Sequence, residues 1–248
     1  MPLNASPKQQ NPVASLFNSI ASWYDFLNHF LSMGQDIYWR KRQARGLRVP
    51  PGGTVLDLAA GTMDVTLAIL SRYPDTRVIA MDVSSSMLHR GQKKIPFEHK
   101  ADVLTVLGDG RKIPLPTASV DCVTISFGIR NIVPRPEAHA EIMRVLKPGG
   151  KLCILEFGTG KEKIWGGLYN LYLDKILPLA GRLISKDAGA YRYLADTIKH
   201  FPSAKELATE LHAAGFGRIM YQPLCSGIVY LHTAEKPSQG QPAATSRA

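Results

Sequence analysis

The sequence has few cysteines and no long apolar run. Three cysteines in 248 residues, with no CxxC pair, argue against a disulfide framework or a structural zinc site and favour a reducing compartment. No apolar stretch reaches the roughly 18 residues that a membrane span needs. The first residues, MPLNASPKQQNP, lack the pattern of a secretory signal. We therefore expect a cytoplasmic protein that can reach a membrane only as a peripheral protein at its inner face.

Acidic residues are also scarce relative to basic ones. Twenty Asp and Glu stand against 30 Lys and Arg, so the net charge is +10. This surplus favours anionic surroundings such as a phospholipid surface, a nucleic acid or an acidic substrate. The remaining composition, 45% hydrophobic and 20% charged, is that of an ordinary globular domain and excludes collagen-like or wholly disordered chains.

What the sequence does contain is a regular alternation of short apolar runs and helical patterns. The predicted strands are 54–58, 77–81, 103–107, 121–126 and 151–157, and the predicted helices are 64–71, 86–94 and 137–146. Buried strands joined by helices indicate a parallel sheet covered on both faces. Two further runs, 216–224 and 227–233, are close enough for a hairpin. The expected fold is therefore an α/β, Rossmann-like sheet with an antiparallel last pair.

Two helical segments lie outside this predicted sheet. Residues 13–48 form what we call the N-terminal lid, with an apolar stripe of Leu16, Ile20, Trp23, Leu27 and Phe30. Residues 161–200 form a helical insert before the hairpin. We expect one domain over residues 1–235, followed by a disordered tail over 236–248 that is rich in Pro, Ser, Gln and Ala.

The loop after the first strand, DLAAGTMD, favours a cationic ligand over a dinucleotide. It lacks the G-x-G-x-x-G pattern that brings a backbone close to a pyrophosphate, and its carboxylates would repel phosphates. S-adenosylmethionine carries an ammonium, a sulfonium and two free ribose hydroxyls. We predict that Asp57 and Gly61 face its cationic end and that Asp82 accepts both hydroxyls. Taken singly, each Asp is equally well explained as a turn or strand-end residue.

Two further strand ends extend the predicted cofactor site. Asp109 follows the third strand, where it can bond the adenine amino group. Ser126 ends the fourth strand, where its hydroxyl or backbone can bond the cofactor.

Six motifs then resemble one family closely. VLDLAAGTMDVT, MDVSSSML, GDGRKIPLP, VDCVTISFGIRN, EIMRVLKPGGKLCILEF and YRYLADTIKHFP occur in that order, and they resemble the C-methyltransferases of ubiquinone and menaquinone biosynthesis, the UbiE/MenG family. The resemblance covers about residues 13–234. The cofactor positions that it implies are Thr62, Asp82, Asp109, Gly110 and Ser126.

The resemblance also implies a fold and a reaction. The fold is the seven-stranded class I methyltransferase sheet, and the reaction adds a methyl to a ring carbon of a demethylmenaquinol or a methoxy-polyprenyl-benzoquinol. Two positions depart from the family. Met63 stands where the family's GTGD has its second Gly, and Arg111 stands where a Glu is common. Met63 either approaches the cofactor or points toward the sheet.

A methyl already activated on sulfur needs no metal and no covalent nucleophile, so we predict neither. The quinol hydroxyl must instead be polarised or deprotonated. We expect Arg130 to stabilise the phenolate and Asn131 to orient the ring, with Tyr24 as a further catalytic candidate. A surface salt bridge is the alternative for Arg130, and His29 ranks below it as a base.

A polyprenyl substrate predicts contact with a membrane, since removing its tail from a bilayer costs about 0.8 kcal/mol per CH₂. The basic residues Arg40, Lys41, Arg42, Arg45 and Arg48, together with Ile164–Ile184, suggest a membrane-facing surface. Helices that pack on the sheet with solvated basic faces explain the same pattern equally well.

Two other functions remain open at this point. An RNA methyltransferase would need aromatic residues interleaved with the basic stripe or an appended RNA-binding module, and the chain has neither, so we expect no nucleic-acid partner. A non-catalytic quinone carrier is suggested only by Met63. The oligomeric state stays open, with a homodimer as one option.

Overall fold

The computed structural model describes residues 12–21, 24–158, 193 and 196–238. Apart from short 3₁₀ turns, these residues include seven strands and seven helices with defined bounds, and Tyr193 and residues 196–199 are also helical. The helices are α1 Pro12–Ile20, α2 Tyr24–Leu31, α3 Gln35–Leu47, α4 Asp64–Arg72, α5 Ser85–Lys94, α6 Arg135–Val145 and α7 Ala204–Ala213. The strands are β1 Thr54–Leu58, β2 Arg77–Asp82, β3 Val103–Leu107, β4 Val120–Ser126, β5 Leu146–Phe157, β6 Gly217–Leu224 and β7 Val229–Glu235.

The strands form one sheet in the order β3-β2-β1-β4-β5-β7-β6. Strands β1 to β5 pair in parallel, and β7 lies antiparallel between β5 and β6. After β1 the chain builds β2 and β3 on one side and then returns to place β4 on the other. This reversal creates a switch point at the carboxyl ends of β1 and β4, where ligands bind in sheets of this kind. The predicted parallel sheet with an antiparallel last pair is confirmed.

The core has two layers, one on each face of the sheet. On one face, α6 and α7 pack their apolar sides against Leu56, Val123 and Ile154. On the other face, α3, α4 and α5 cover Val55, Val78 and other residues of the central strands. Every second residue of a strand faces the same layer. The alternation therefore decides which side chains of a strand end can reach a given site.

The predicted N-terminal lid is divided in the structure. Helices α1 and α2 lie beside the carboxyl ends of the parallel strands. Helix α3 instead belongs to the core layer, because Ala44 and Leu47 are fully buried there. Gln43, the residue before Ala44, is also buried and donates from Nε2 to the carbonyls of Ile125 and Cys153. A buried amide bonded to the sheet fixes α3 in place, so it is not a mobile covering segment.

The predicted strands all occur, with ends shifted by a few residues. Helix α7, which the sequence analysis does not anticipate, begins with a capping box between Ser203 and Glu206. Most of the predicted insert lies outside the described residues, as do residues 239–248. Lys236, the first residue of the predicted tail, donates from Nζ to the carbonyls of Met143 and Leu146. In the described part of the chain, no helix combines the length and apolarity that crossing a bilayer requires.

Candidate functional site

A cavity of about 800 Å³ opens at the carboxyl ends of the parallel strands. It lies at the switch point between β1 and β4, where the topology predicts a ligand. Its lining joins the loops after β1, β2, β3 and β4 to helices α1 and α2 and to Tyr193. Of the ten residues predicted for the site, seven line it: Tyr24, Gly61, Asp82, Asp109, Gly110, Ser126 and Asn131.

Asp82 at the end of β2 is the buried acidic group of the cavity. Its Oδ2 accepts the backbone N–H of Gly61 at 2.8 Å and its Oδ1 accepts that of Ser84 at 2.8 Å. Burial raises the pKa of Asp82, and the backbone N–H groups oppose this rise. Each oxygen keeps a free lone pair. The carboxylate is therefore held rigidly and can still accept two hydrogen bonds from a ligand.

Asp109 after β3 is held by Arg111, the residue that stands where the family commonly has a Glu. Arg111 Nε donates to Oδ1 of Asp109 at 3.0 Å, while Arg111 Nη1 donates to the carbonyl of Val133 at 2.8 Å. Hydrogen bonding to Arg111 lowers the pKa of Asp109. Arg111 thus ties the loop after β3 to the loop after β4 and neutralises the Asp109 carboxylate.

The end of β4 supplies an unpaired hydroxyl and a close backbone approach. Ser126 Oγ is buried and has no hydrogen-bond partner among the described residues. Gly128 lies so close to β1 that an added Cβ would stand 2.5 Å from the Cβ of Ala59. At Gly110, an added Cβ would stand 2.9 Å from Ile132. The cavity therefore depends on glycines, and Ser126 lines it while its own hydroxyl is buried without a partner among the described residues.

The N-terminal helices cover one side of the cavity. Val13 and Phe17 of α1 and Tyr24 of α2 all line it. Burial raises the pKa of the Tyr24 hydroxyl, while the positive charges of Arg40 and Arg130 act in the opposite direction. Tyr24 is therefore a neutral hydrogen-bond donor at neutral pH.

Asp57 and Thr62 do not line the cavity, although the sequence analysis placed both in the cofactor site. Asp57 faces the α4 layer, since it alternates along β1 with Leu58, which does line the cavity. Its Oδ2 accepts the hydroxyl of Thr66 at 2.7 Å. Burial raises the pKa of Asp57 to about 7. Thr62 is buried, and its hydroxyl donates to the Asp25 carboxylate of α2.

Arg130 lies behind the lining rather than on it. Its side chain is 6% exposed and forms an ion pair of 2.6 Å with Glu156 of β5, which is 1% exposed. Its Nη1 also donates to the carbonyl of Phe127, and its guanidinium lies over the ring of Phe157. A surface salt bridge is thus excluded. The charge of Arg130 still reaches the cavity, because it acts on the pKa of both Tyr24 and Tyr193.

Met63 points away from the cavity. Its side chain is fully buried in the layer of α4 and α5. A Cβ added to Gly91 of α5 would stand 2.5 Å from Met63 Cγ, so the glycine makes room for the methionine. Met63 has a φ of 65°, the left-handed region that favours glycine. Residue 63 therefore keeps the left-handed backbone conformation that favours glycine, while the methionine side chain packs in the core.

A cluster of charged groups fastens α2 to the core. His29, Asp36 and Asp64 bring three ligand-type atoms within 4.8 Å of one another. Arg40 lies among them, bonded to Asp36 and 3.4 Å from Asp64. Lys94 of α5 contacts the Asp64 carboxylate. The carboxylates are therefore already paired with cationic side chains of the chain itself. Arg40 is buried, so it does not belong to the basic surface predicted from the sequence.

The lining fits S-adenosylmethionine. Asp82 presents a fixed carboxylate with lone pairs for two hydroxyls, and Gly61 and Gly110 line the cavity without side chains. A dinucleotide fits poorly, because the loop after β1 lacks the G-x-G-x-x-G pattern that brings a backbone close to a pyrophosphate.

Two residues of the site, one on the lining and one behind it, were not predicted from the sequence. Tyr193 lines the cavity, and its hydroxyl donates to Oδ1 of Asn131 at 3.0 Å. The signal for it was the YRYLADTI motif, which carries the resemblance but assigns no role to its tyrosines. Glu156 has no local signal, because it ends a buried strand and its partner lies 26 residues away.

Comparison with known proteins gives a consistent result over nearly the whole chain. The profile described as the ubiE/COQ5 methyltransferase family matches residues 5–236. A demethylmenaquinone methyltransferase of Corynebacterium glutamicum is 42% identical over 225 residues, covering 91% of this chain and 94% of the relative. The ubiquinone/menaquinone biosynthesis C-methyltransferase UbiE of Pseudomonas putida is 40% identical over 228 residues, covering 91% and 89%.

Solved structures show the same fold at low sequence identity. A SAM-dependent methyltransferase from Aquifex aeolicus has a TM-score of 0.58 and 18% identity, covering 79% of this chain and 88% of that one. The [4+2]-cyclase SpnF has a TM-score of 0.69 and 15% identity, covering 94% and 98%. A cyclase with this architecture illustrates that the fold by itself does not determine the reaction.

Proposed function

This chain belongs to the ubiE/COQ5 methyltransferase family, and from that premise we propose that it methylates a ring carbon of a polyprenylated quinol with S-adenosylmethionine. The substrate is a demethylmenaquinol, a 2-methoxy-6-polyprenyl-benzoquinol, or both, because the relatives carry names of both kinds. The observation that supports the proposal most directly is the cavity at the carboxyl ends of the strands, which is lined by the buried carboxylate of Asp82 and, beside it, by Asn131, Tyr24 and Tyr193.

The cofactor is held by groups at four strand ends. Asp82 accepts the two ribose hydroxyls, and Ser126 and the backbone at Gly61 contact the amino-acid end. Asp109 and Gly110 face the adenine, with the Arg111 clamp limiting how strongly Asp109 attracts it. Asp57 and Thr62 do not contact the cofactor. The hydrogen bond between Asp57 and Thr66 and the one between Thr62 and Asp25 hold the loop after β1 in its conformation. When bound, S-adenosylmethionine supplies an electrophilic methyl that bonds to the ring carbon as its sulfur–carbon bond breaks and leaves that electron pair on sulfur.

The protein's part in the reaction is to stabilise negative charge on the quinol oxygen. Ionising that hydroxyl raises electron density in the ring, and one proton is released to water for each methyl transferred. Neutral donors on the lining, Tyr24 and the amide of Asn131, serve as hydrogen-bond partners of the oxygen. Arg130 adds positive potential from the layer behind. Preorganised donors of this kind typically contribute about 10²–10³ in rate each.

The test of the proposal is methyl transfer itself. We expect the purified protein to transfer radiolabelled methyl from S-adenosylmethionine to reduced demethylmenaquinone or to the reduced benzoquinone precursor, and not to RNA. The product should carry the label on a ring carbon, which mass spectrometry of the isolated quinone can establish. Tight binding of the donor with no transfer to either quinol would favour the carrier interpretation and contradict the proposal.

We further propose that an anionic membrane surface presents the substrate. Three large apolar residues are exposed at the start of α3: Met33 (87%), Ile37 (48%) and Tyr38 (52%). Exposed basic residues, Lys41, Arg45 and Arg48, follow at helical spacing on the same side of α3 and at its end. Apolar residues beside a row of cations are typical of helices that lie at anionic interfaces.

Charge reversal at Lys41, Arg45 and Arg48 should abolish most vesicle binding. Each basic residue near an anionic surface contributes about 1 kcal/mol, so the triple change to Glu should weaken binding at least about 100-fold. Co-sedimentation with vesicles of phosphatidylglycerol and phosphatidylcholine measures this effect. The matched control reverses the exposed Lys93, Lys100 and Lys205, which gives the same net charge. Equal losses in both variants would contradict the assignment of this surface.

A further inference from the structure

Tyr193 and Asn131 form a hydrogen-bonded pair inside the cavity. Both side chains line it, and the tyrosine hydroxyl donates to Asn131 Oδ1 at 3.0 Å. The two residues are 62 positions apart, so the contact is a product of the fold. Asn131 is further fixed by its backbone N–H, which donates to the carbonyl of Gly128 at 3.0 Å.

This pairing determines which atom of the amide faces the substrate. A primary amide has one accepting oxygen and one donating nitrogen. With Oδ1 engaged by Tyr193, Nδ2 is the polar atom left to the cavity, and no described residue accepts a hydrogen bond from it. A rotated amide would present Oδ1 instead, and a carbonyl oxygen favours the protonated quinol by accepting its O–H.

We propose that Tyr193 is a positioning residue that holds the Asn131 amide with Nδ2 toward the quinol oxygen, so that the pair favours the ionised substrate. The inference rests on the proposed function and deepens it. Tyr193 acts through Asn131, whereas Tyr24 contacts the substrate oxygen from the opposite helix. Loss of the tyrosine hydroxyl frees the amide to rotate, without removing the ring that lines the cavity.

The charged and titratable groups around the pair are the same in the wild type and in Tyr193→Phe. Arg130 lies on the same turn as Asn131, with Glu156 of β5 as its partner. Tyr24 of α2 and Asp82 of β2 face the cavity, as do the paired Asp109 and Arg111. A difference between the wild type and Tyr193→Phe therefore reports the hydroxyl alone.

The direct measurement uses 4-nitro-1-naphthol, whose absorption spectrum reports its ionisation, bound in the presence of S-adenosylhomocysteine. We expect the wild type to lower the pKa of the bound naphthol, and Tyr193→Phe to raise the apparent value by about one pH unit relative to the wild type. The control is Tyr221→Phe, a partly exposed tyrosine of β6, which should match the wild type. A wild type that does not bind the naphthol or does not lower its pKa, or a variant that ionises it equally well, overturns the inference.

Turnover gives the second measurement. Tyr193→Phe should lower kcat about tenfold while KM changes less than about twofold, and should have no further effect in an Asn131→Ala background. Additive losses would show that Tyr193 does not act through Asn131 and would overturn the inference. Absence of methyl transfer by the wild type, with the naphthol shift intact, would instead contradict the proposed function alone. Circular dichroism and the affinity for S-adenosylmethionine, both unchanged in Tyr193→Phe, establish that the variant is folded.

Discussion

Asp82→Asn is expected to lower the affinity for S-adenosylmethionine about 100-fold. The carboxylate accepts two backbone N–H groups and would accept two ribose hydroxyls. Hydrogen bonds to a charged group contribute about 1.5–3 kcal/mol each, and two of them correspond to about two orders of magnitude in Kd. An asparagine would also direct its NH₂ at the N–H of Gly61 or of Ser84, so one backbone donor would lose its partner.

Isothermal titration calorimetry checks this expectation. Asp75→Asn is the matched control, since Asp75 is exposed in the turn before β2 and should bind the cofactor as the wild type does. The wild type should show no tight binding of NAD, because the loop after β1 lacks the glycines that let a backbone approach a pyrophosphate. A change of less than about fivefold in Asp82→Asn, or tight binding of NAD, would contradict this account of the cavity.

Arg130→Met should destabilise the fold by about 3–5 kcal/mol, the usual cost of leaving one partner of a buried ion pair alone. Glu156 would then be buried without its counter-charge and would stay protonated in the native state. Burial already raises the pKa of Glu156, and removing Arg130 raises it further. The unfolded chain releases this proton above its ordinary pKa near 4.5, whereas the native state retains it. The loss of unfolding free energy in Arg130→Met, relative to the wild type, should therefore grow as the pH rises from about 5 to 8.

The double variant Arg130→Met with Glu156→Gln separates stability from catalysis. It replaces the pair with neutral groups, so most of the lost stability should return, as measured by urea denaturation at pH 5 and 8. Its turnover should stay well below that of the wild type, because the positive potential behind the cavity is gone. As a control, Arg135→Met breaks a partly exposed pair with Glu210 and should cost no more than about 1 kcal/mol. A double variant no more stable than the single one would contradict this description of the pair.

The elements of the fold were largely predictable because their signals are local. Continuous apolar runs bounded by Gly and Pro mark β1 and β5, and α5 begins at a serine cap, since Ser84 Oγ accepts the N–H of Met87. Helix α7 carried an equally local signal, the Ser203–Glu206 capping box, which the sequence analysis overlooked. The packing of α3 in the core could not be predicted from the spacing of its apolar residues. Its buried face includes Gln43 and Arg40, polar residues that such a pattern assigns to solvent.

By itself, the sequence determined that acidic residues lie at or just after the ends of β1, β2 and β3 in a parallel sheet, and hence that the ligand site is acidic and lies at the carboxyl ends of the strands. Tertiary structure decided which of these residues reach the ligand. Asp57 and Asp82 lie on the same face of the sheet, but Asp57 is held by Thr66 of α4, whereas Asp82 is the last residue of β2 and lines the cavity. Packing also draws Arg130 back to Glu156 and brings Tyr193 to Asn131. Such contacts join residues distant along the chain, and their geometry depends on how the layers pack, for which periodicity and spacing carry no signal.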